Sequence, residues 1–111
     1  MSNKTLTVKT YFGTYQNCKA KINNYRADGT MCVDLWNSED GAIARLTTCL
    51  DKKGMPDNQS YIDTNNCPWA ISLIKKYNLG RITGSIGFIG LGGYCMYPVV
   101  EWNLNELEQY K

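Results

Sequence analysis

Histidine is absent from the 111 residues, which removes the side chain that most often serves as a general base or a metal ligand. A catalytic Ser–His or Cys–His pair is therefore excluded, together with any zinc site that needs an imidazole. No D-x-D metal pair and no Walker loop is present, and the acidic residues are scattered. We therefore predict a protein that is not an enzyme and that binds no metal and no cofactor.

Paired cysteines are also absent. The five cysteines lie at positions 18, 32, 49, 67 and 95, and no two of them form a C-x₂-C motif. This spacing argues against a zinc ribbon and a thioredoxin-type redox pair. Cys18, Cys32 and Cys49 lie in alternating apolar segments and are predicted to be buried. Cys67 and Cys95 lie in loop-like surroundings and are predicted to be accessible to solvent.

Long apolar runs are missing as well, since no stretch approaches the length of a membrane span, and the first residues contain no apolar signal region. A cytoplasmic protein is the resulting expectation. The chain is 43% hydrophobic and 12% aromatic with a net charge of +2, a composition typical of a globular protein. Its length predicts one domain over residues 1–111.

Alternating apolar and polar residues predict four strands in the amino-terminal half, joined by short polar turns into an antiparallel meander. The predicted strands are about 5–11, 17–23, 30–36 and 42–50. Residues 51–60 are polar and contain Gly and Pro, which predicts a surface loop. A fifth strand is predicted over 94–102, with Pro98 favouring an edge position or a bulge.

Apolar residues at helical spacing after Pro68 predict the main helix over 67–78, ended by Gly80. Asn103 and Glu106 predict a short, capped helix at the carboxyl end. The predicted fold class is therefore α+β, an antiparallel sheet of about five strands with the main helix on one face. The predicted core consists of Leu6, Val8, Ile22, Val33, Leu35, Ile43, Leu46, Leu73 and Ile74.

Residues 80–93 are rich in glycine, but their order is unlike that of a nucleotide-binding loop. Residues 87–92 read G-x-x-G-x-G, and they precede a predicted strand instead of a helix. A twisted or bulged hairpin packed on the sheet is the favoured interpretation. A flexible partner-binding loop and a phosphate site are the alternatives.

Charge is segregated along the chain, because residues 1–26 contain five basic side chains and no acidic one. Lys9, Lys19 and Lys21 fall opposite the apolar positions of the first two strands, which predicts a basic outer face that also includes Tyr11. Basic residues interleaved with aromatics are typical of surfaces that bind single-stranded nucleic acid. A solvated sheet face is the alternative interpretation.

Two further segments combine polar and aromatic residues, the predicted helix start at 63–69 and the late strand at 94–97. The run of Asp, Thr and Asn exceeds what one helix cap needs, so the additional side chains are predicted to bind the neighbouring loop or a ligand. Large aromatics beside a few charges are typical of interface hot spots. The candidate partner-binding residues are Lys9, Tyr11, Lys19, Lys21, Asp63, Asn65, Asn66, Trp69, Tyr94 and Tyr97.

The segments DTNNCPWA at 63–70 and GYCMYP at 93–98 carry a resemblance to a known family. They are similar to a small family of unknown function carried by phages, plasmids and conjugative elements of gut Firmicutes and Bacteroidetes. Its members also have a strand-rich amino half, so the likeness spans most of the chain. The family has no established catalytic residues, and none is transferred here. Small proteins of such elements often inhibit host defence, anti-CRISPR proteins among them.

The resemblance therefore implies a non-enzymatic inhibitor of a bacterial defence system in the cytoplasm of the host cell. The leading expectation is an anti-CRISPR protein that binds a CRISPR effector nuclease or blocks its guide-RNA assembly. One alternative is a nucleic-acid-binding accessory protein of a mobile element, which would use the basic first hairpin. Another is a sponge for a nucleotide signal, with the glycine-rich segment and residues 63–66 lining a pocket.

Overall fold

A computed structural model describes residues 4–50, 54–89 and 95–111, and its strands form two antiparallel four-stranded sheets. The first sheet has the order β1-β2-β3-β4, with β1 (Leu6–Thr10), β2 (Gly13–Asn24), β3 (Met31–Asn37) and β4 (Gly41–Arg45). The second has the order β5-β6-β8-β7, with β5 (Thr47–Thr48), β6 (Gln59–Ile62), β7 (Gly80–Ile89) and β8 (Cys95–Trp102). Two short helices complete the fold, α1 (Ala70–Lys76) and α2 (Leu104–Glu108).

The α+β class and the amino-terminal meander are confirmed, but the prediction of one sheet of about five strands is wrong. The predicted strand 42–50 is divided at Leu46, because the N–H and the carbonyl of this residue form hydrogen bonds with different parts of the chain. Its N–H donates to the carbonyl of Val33 in the first sheet at 2.9 Å, and its carbonyl accepts from the N–H of Asp63 at 2.8 Å. The chain then enters the second sheet as β5, whose partner β6 lies partly in the predicted loop 51–60.

Buried residues from both sheets and both helices form one hydrophobic cluster. Among the predicted core residues, Ile22 and Ile43 are only partly buried and pack against this cluster. The other predicted core residues are buried: Leu6, Val8, Val33, Leu35, Leu46, Leu73 and Ile74. In the described ranges, no helix combines the length and the apolar character needed to cross a membrane.

Helix α1 begins three residues later than predicted, because Asp63 organises a separate turn before it. The carbonyl of Asp63 accepts from Cys67 N at 2.8 Å, and its Oδ1 accepts from Asn66 N at 3.3 Å. Beyond the helix, the Tyr77 hydroxyl accepts from Thr7 N–H on β1 at 2.9 Å. This bond ties the end of α1 to the edge of the first sheet.

The described part of the glycine-rich segment is β7, a strand with a register irregularity between Ile82 and Ile86. Gly84 lies within this irregularity with a φ of 91°, which favours glycine. A Cβ at Gly87 would collide with the side chains of Tyr61 and Leu50. Gly84 therefore permits the bulge, and Gly87 permits close packing of the strand against its neighbours. Both features agree with the bulged structure favoured from the sequence. Residues 90–93 lie outside the described residues.

A short chain of buried hydrogen bonds joins the two sheets. The indole N–H of Trp102 in β8 donates to the hydroxyl of Ser60 in β6 at 2.8 Å. That hydroxyl donates in turn to the carbonyl of Met31 in β3 at 2.7 Å. Ser60 is completely buried, so each of these polar groups depends on the others for a partner.

Replacing Ser60 with Ala removes the acceptor of the Trp102 indole and leaves that N–H buried without a partner. We expect the free energy of unfolding to fall by about 1–3 kcal/mol, as is typical of an orphaned buried donor. Urea denaturation followed by circular dichroism measures this change. The control is Ser38→Ala at an exposed turn position, which should change stability by no more than about 0.5 kcal/mol. Equal effects of the two substitutions would contradict the proposed role of Ser60.

Candidate partner-binding groove

The turn between β1 and β2 carries two adjacent aromatic residues that face solvent. Tyr11 is 95% exposed and Phe12 is 93% exposed. The turn is held by the Thr10 hydroxyl, which accepts from Phe12 N–H at 3.1 Å and donates to the Gly13 carbonyl at 3.2 Å. We call Tyr11 and Phe12 the hairpin tip, because the surrounding hydrogen bonds fix the backbone while the aromatic rings remain largely uncovered.

A depression of about 350 Å³ lies against the hairpin tip. Its walls are the tip itself, Tyr15 and Ile43 from the first sheet, and the turn 65–69 that precedes α1. A second depression of about 140 Å³ shares Trp69 with the first and is also lined by Lys9 and Lys76. We call the two depressions together the Trp69 groove. No Asp, Glu or His is among its described lining residues.

The Trp69 groove brings together half of the residues predicted to bind a partner. Tyr11, Asn65, Asn66 and Trp69 line the larger depression, and Lys9 lines the smaller one. Residues far apart in sequence therefore meet in one place because α1 and the turn before it pack beside the first sheet.

Two other predicted residues, Asp63 and Tyr97, lie outside the lining. The carboxylate of Asp63 holds the side chain of the groove residue Asn66 in place, since its Oδ2 accepts from Asn66 Nδ2 at 2.8 Å. Tyr97 is only 8% exposed, and its hydroxyl accepts from Asn65 Nδ2 at 3.4 Å, so it presents little surface to a partner. Tyr94 lies outside the described residues.

Lys19 and Lys21 lie on the outer face of the first sheet, where β2 pairs Lys19 with Trp36 and Lys21 with Asp34. Asp34 is already engaged by Arg45, whose Nε donates to its Oδ1 at 2.7 Å. Neither lysine takes part in an ion pair between described residues. The outer face is therefore basic and carries one partly exposed indole.

The register separates Lys9 from these two lysines. Leu6 of β1 is paired with Cys18 of β2. From this pair, Lys9 lies three residues away in one direction along the sheet, and Lys19 lies one residue away in the opposite direction. At the usual rise of a strand, Lys9 and Lys19 are roughly 13 Å apart along the sheet. Lys9 thus belongs with the Trp69 groove, whereas Lys19 and Lys21 form a separate basic surface.

Cys67 lines the larger depression but is not the accessible thiol that its loop position predicts. Its side chain is buried, and its Sγ donates to the carbonyl of Arg45 at 3.4 Å. Burial, helped by the negative charge of Asp63, raises the pKa of the Cys67 thiol to about 11. The thiol is therefore protonated at neutral pH, which makes it a poor nucleophile.

Several exposed apolar residues are not among the predicted partner-binding residues. Phe12 directly follows the predicted strand 5–11, and its pairing with Tyr11 in a turn is itself unusual. Ile86 and Phe88 on β7 and Met96 on β8 are about half exposed, at 50%, 47% and 56%. Strand alternation alone does not locate Ile86 and Phe88, because the bulge in β7 changes which residues face the core.

These features define a small α+β protein of two sheets, with an aromatic hairpin tip beside a groove whose charged lining is basic. Residues 19–111 match the DUF4313 family, described as a domain of unknown function, and the chain belongs to this family. The match begins within β2, so Lys9 and the hairpin tip precede the matched residues. No curated protein and no solved structure matches the chain.

The burial of the cysteines leads to a test of the groove's chemistry. Cys49 is partly exposed, so the prediction of its burial is wrong. We expect the partly exposed Cys49 and Cys95 to react quickly with a thiol reagent at pH 8, and the buried Cys18, Cys32 and Cys67 to react only slowly. Mass-spectrometric mapping of iodoacetamide adducts identifies the modified positions. All five thiols should react once the protein is denatured. Rapid modification of Cys67 in the folded protein would contradict its burial and its raised pKa.

Proposed function

We propose that this protein is a non-catalytic inhibitor, carried by a mobile genetic element, that binds a bacterial defence protein. The proposed target is a CRISPR effector nuclease or its guide-RNA assembly. The observation that carries the binding role is the hairpin tip. Two adjacent aromatic side chains are almost fully exposed there on a hydrogen-bonded turn, where they contribute little to the core.

Aromatic side chains supply much of the binding energy at protein interfaces when they enter a pocket of the partner. Tyr11 and Phe12 are well suited to this role, because the bonds of Thr10 restrict the turn before binding. A restricted turn loses less conformational entropy when a partner binds. Lys9 in the adjacent groove adds a positive charge that would attract an acidic partner surface.

Binding without catalysis is supported by the side chains of the groove. The lining lacks a carboxylate and an imidazole in the described residues, and the one thiol there has a pKa of about 11. Positioned general acids and bases are the usual means of catalysis by protein side chains. Amides, aromatics and lysines are better suited to recognising a partner.

The choice of a defence protein as the target rests on the resemblance of segments 63–70 and 93–98 to proteins of mobile elements. Residues 65–69 of the first segment line the groove, which connects this resemblance to the proposed binding surface. An inhibitor of this kind needs a stable scaffold and a few anchoring side chains. Both are found in this chain.

The double substitution Tyr11→Ala with Phe12→Ala tests the proposal. Each aromatic at a hot spot is worth about 2 kcal/mol or more, so partner affinity should fall by at least about 30-fold for each one. Inhibition is measured as the survival of a targeted plasmid in cells that carry an active CRISPR nuclease. Thermal stability should stay nearly unchanged, since both side chains are exposed.

The matched control is Leu104→Ala, which removes an exposed apolar side chain at the start of α2. This variant should inhibit as the unmodified protein does. If the Tyr11 and Phe12 double variant folds and still protects the plasmid fully, the hairpin tip is not the hot spot. If the unmodified protein protects no plasmid against any tested CRISPR nuclease, the proposed target is wrong.

The outer basic face supports nucleic-acid binding as a second candidate function. Lys19 lies opposite Trp36 on the neighbouring strand, and neither Lys19 nor Lys21 has an ion-pair partner among the described residues. For single strands, log affinity should fall with log salt by about 0.7 for each phosphate contacted. Lys19→Gln with Lys21→Gln should therefore flatten that slope by roughly 1.4. Fluorescence anisotropy with a labelled oligonucleotide measures it, and an unchanged slope would rule out these two contacts.

A further inference from the structure

We propose that the Trp69 groove binds a nucleobase that carries a phosphate, with the base against Trp69 and the phosphate toward Lys9 and Lys76. This inference goes beyond the proposed inhibitor function, because binding a nucleotide requires no partner protein. Three properties of the groove support it: an aromatic platform, amide oxygens without a hydrogen-bond partner among the described residues, and a basic end.

Trp69 supplies the platform. It is half-buried, packs against the hydrophobic core and borders both depressions of the groove. Pro68 precedes it and α1 follows it directly, so its backbone is restrained on both sides. Bases stack on such aromatic side chains. The larger depression, about 350 Å³, falls in the size range of small-molecule sites and has Tyr15 as a further aromatic wall.

The amides of Asn65 and Asn66 present acceptors to this cavity. Asn66 Nδ2 donates to the carboxylate of Asp63 at 2.8 Å, and Asn65 Nδ2 donates to the hydroxyl of Tyr97 at 3.4 Å. With their donors engaged, each side chain offers its Oδ1, and neither oxygen has a hydrogen-bond partner within the described part of the chain. Acceptors pair with the amino groups of adenine and cytosine, whereas uracil has an oxygen at the corresponding position.

The charge of the groove favours a phosphate. Lys9 and Lys76 are its only charged lining residues in the described chain, and neither forms an ion pair there. Asp63 is the nearby acid, and its carboxylate is occupied by the backbone and side chain of Asn66. Because Trp69 lies between the lysine-lined depression and the amide-lined one, a single ligand can contact both.

A free nucleotide and a nucleotide within a single strand share this chemistry. Calorimetric titration of the purified protein with CMP, AMP and UMP tests the site directly. We expect CMP and AMP to bind about fivefold or more tightly than UMP, because only their bases supply the amino group. Cytidine and ribose 5-phosphate should each bind about tenfold more weakly than CMP, since each lacks one of the two contacts.

An oligocytidylate with four nucleotides distinguishes the two sources. If the oligocytidylate binds more than about fourfold more tightly than CMP, which is the gain expected from four equivalent bases alone, the site is assigned to single strands. Equal or weaker binding would assign it to free nucleotides. Absence of heat with both CMP and AMP at about 1 mM would overturn the proposal.

Substitutions then locate the site. Trp69→Leu should weaken CMP binding about tenfold by removing the stacking surface. Because Trp69 also packs on the core, the fold of this variant is checked by thermal unfolding. Lys9→Gln provides a second test that leaves the core intact. It should lower the affinity for CMP and leave the affinity for cytidine, which has no phosphate, unchanged.

The matched control is Lys21→Gln on the outer face, which should leave CMP binding unchanged. Equal weakening by Lys9→Gln and Lys21→Gln would mean that the attraction is diffuse and would overturn the site. The titration uses only purified protein and nucleotide, so its failure leaves the plasmid-protection assay unaffected. Conversely, loss of plasmid protection in the Tyr11 and Phe12 double variant does not by itself count for or against nucleotide binding.

Discussion

The buried hydroxyl of Ser60 helps to hold the two sheets in their observed arrangement. It accepts from the indole of Trp102 in its own sheet and donates to the carbonyl of Met31 in the other. Apolar contacts between sheets are tolerant of sliding, whereas a buried hydrogen bond is directional, and shifting it leaves polar groups without partners. This bond therefore helps to fix how the second sheet lies against the first, and with it the position of the turn that follows β6.

The Trp69 groove is a consequence of that arrangement. The turn 63–69 follows β6 directly, and Asp63 is bonded to Leu46, the residue at which the chain passes between the sheets. Helix α1 then returns along β1, where the Tyr77 hydroxyl satisfies the backbone of Thr7. The groove forms where these two attachments bring the turn and the edge strand together. Its side chains are therefore positioned by the same contacts that stabilise the fold.

Much of the fold and five of the groove's side chains can be predicted from local sequence patterns, but the meeting of these side chains in one groove cannot. Alternation identifies β1 to β3, and the cap at Asn103 identifies α2, whose Glu106 N–H donates to Asn103 Oδ1 at 3.2 Å. Strand β5 has two residues and β6 has four, which is too short for a clear period. Cys67 appeared accessible because loop composition says nothing about tertiary packing. The groove itself depends on contacts between distant segments.

The basic residues of the first hairpin show why charge alone does not locate a site. Lys9, Lys19 and Lys21 are equivalent in sequence pattern, but Lys9 borders a concave surface beside an indole, whereas the other two lie on a sheet face beside the Asp34–Arg45 ion pair. Concave surfaces with apolar walls focus the field of a charge, whereas an open face is screened by water and salt. A single positive charge therefore attracts an anion more strongly at Lys9 than at Lys19 or Lys21. The bulge between Leu6 and Val8 and the packing of α1 produce this difference, and neither is visible in the alternation of residues along a single strand.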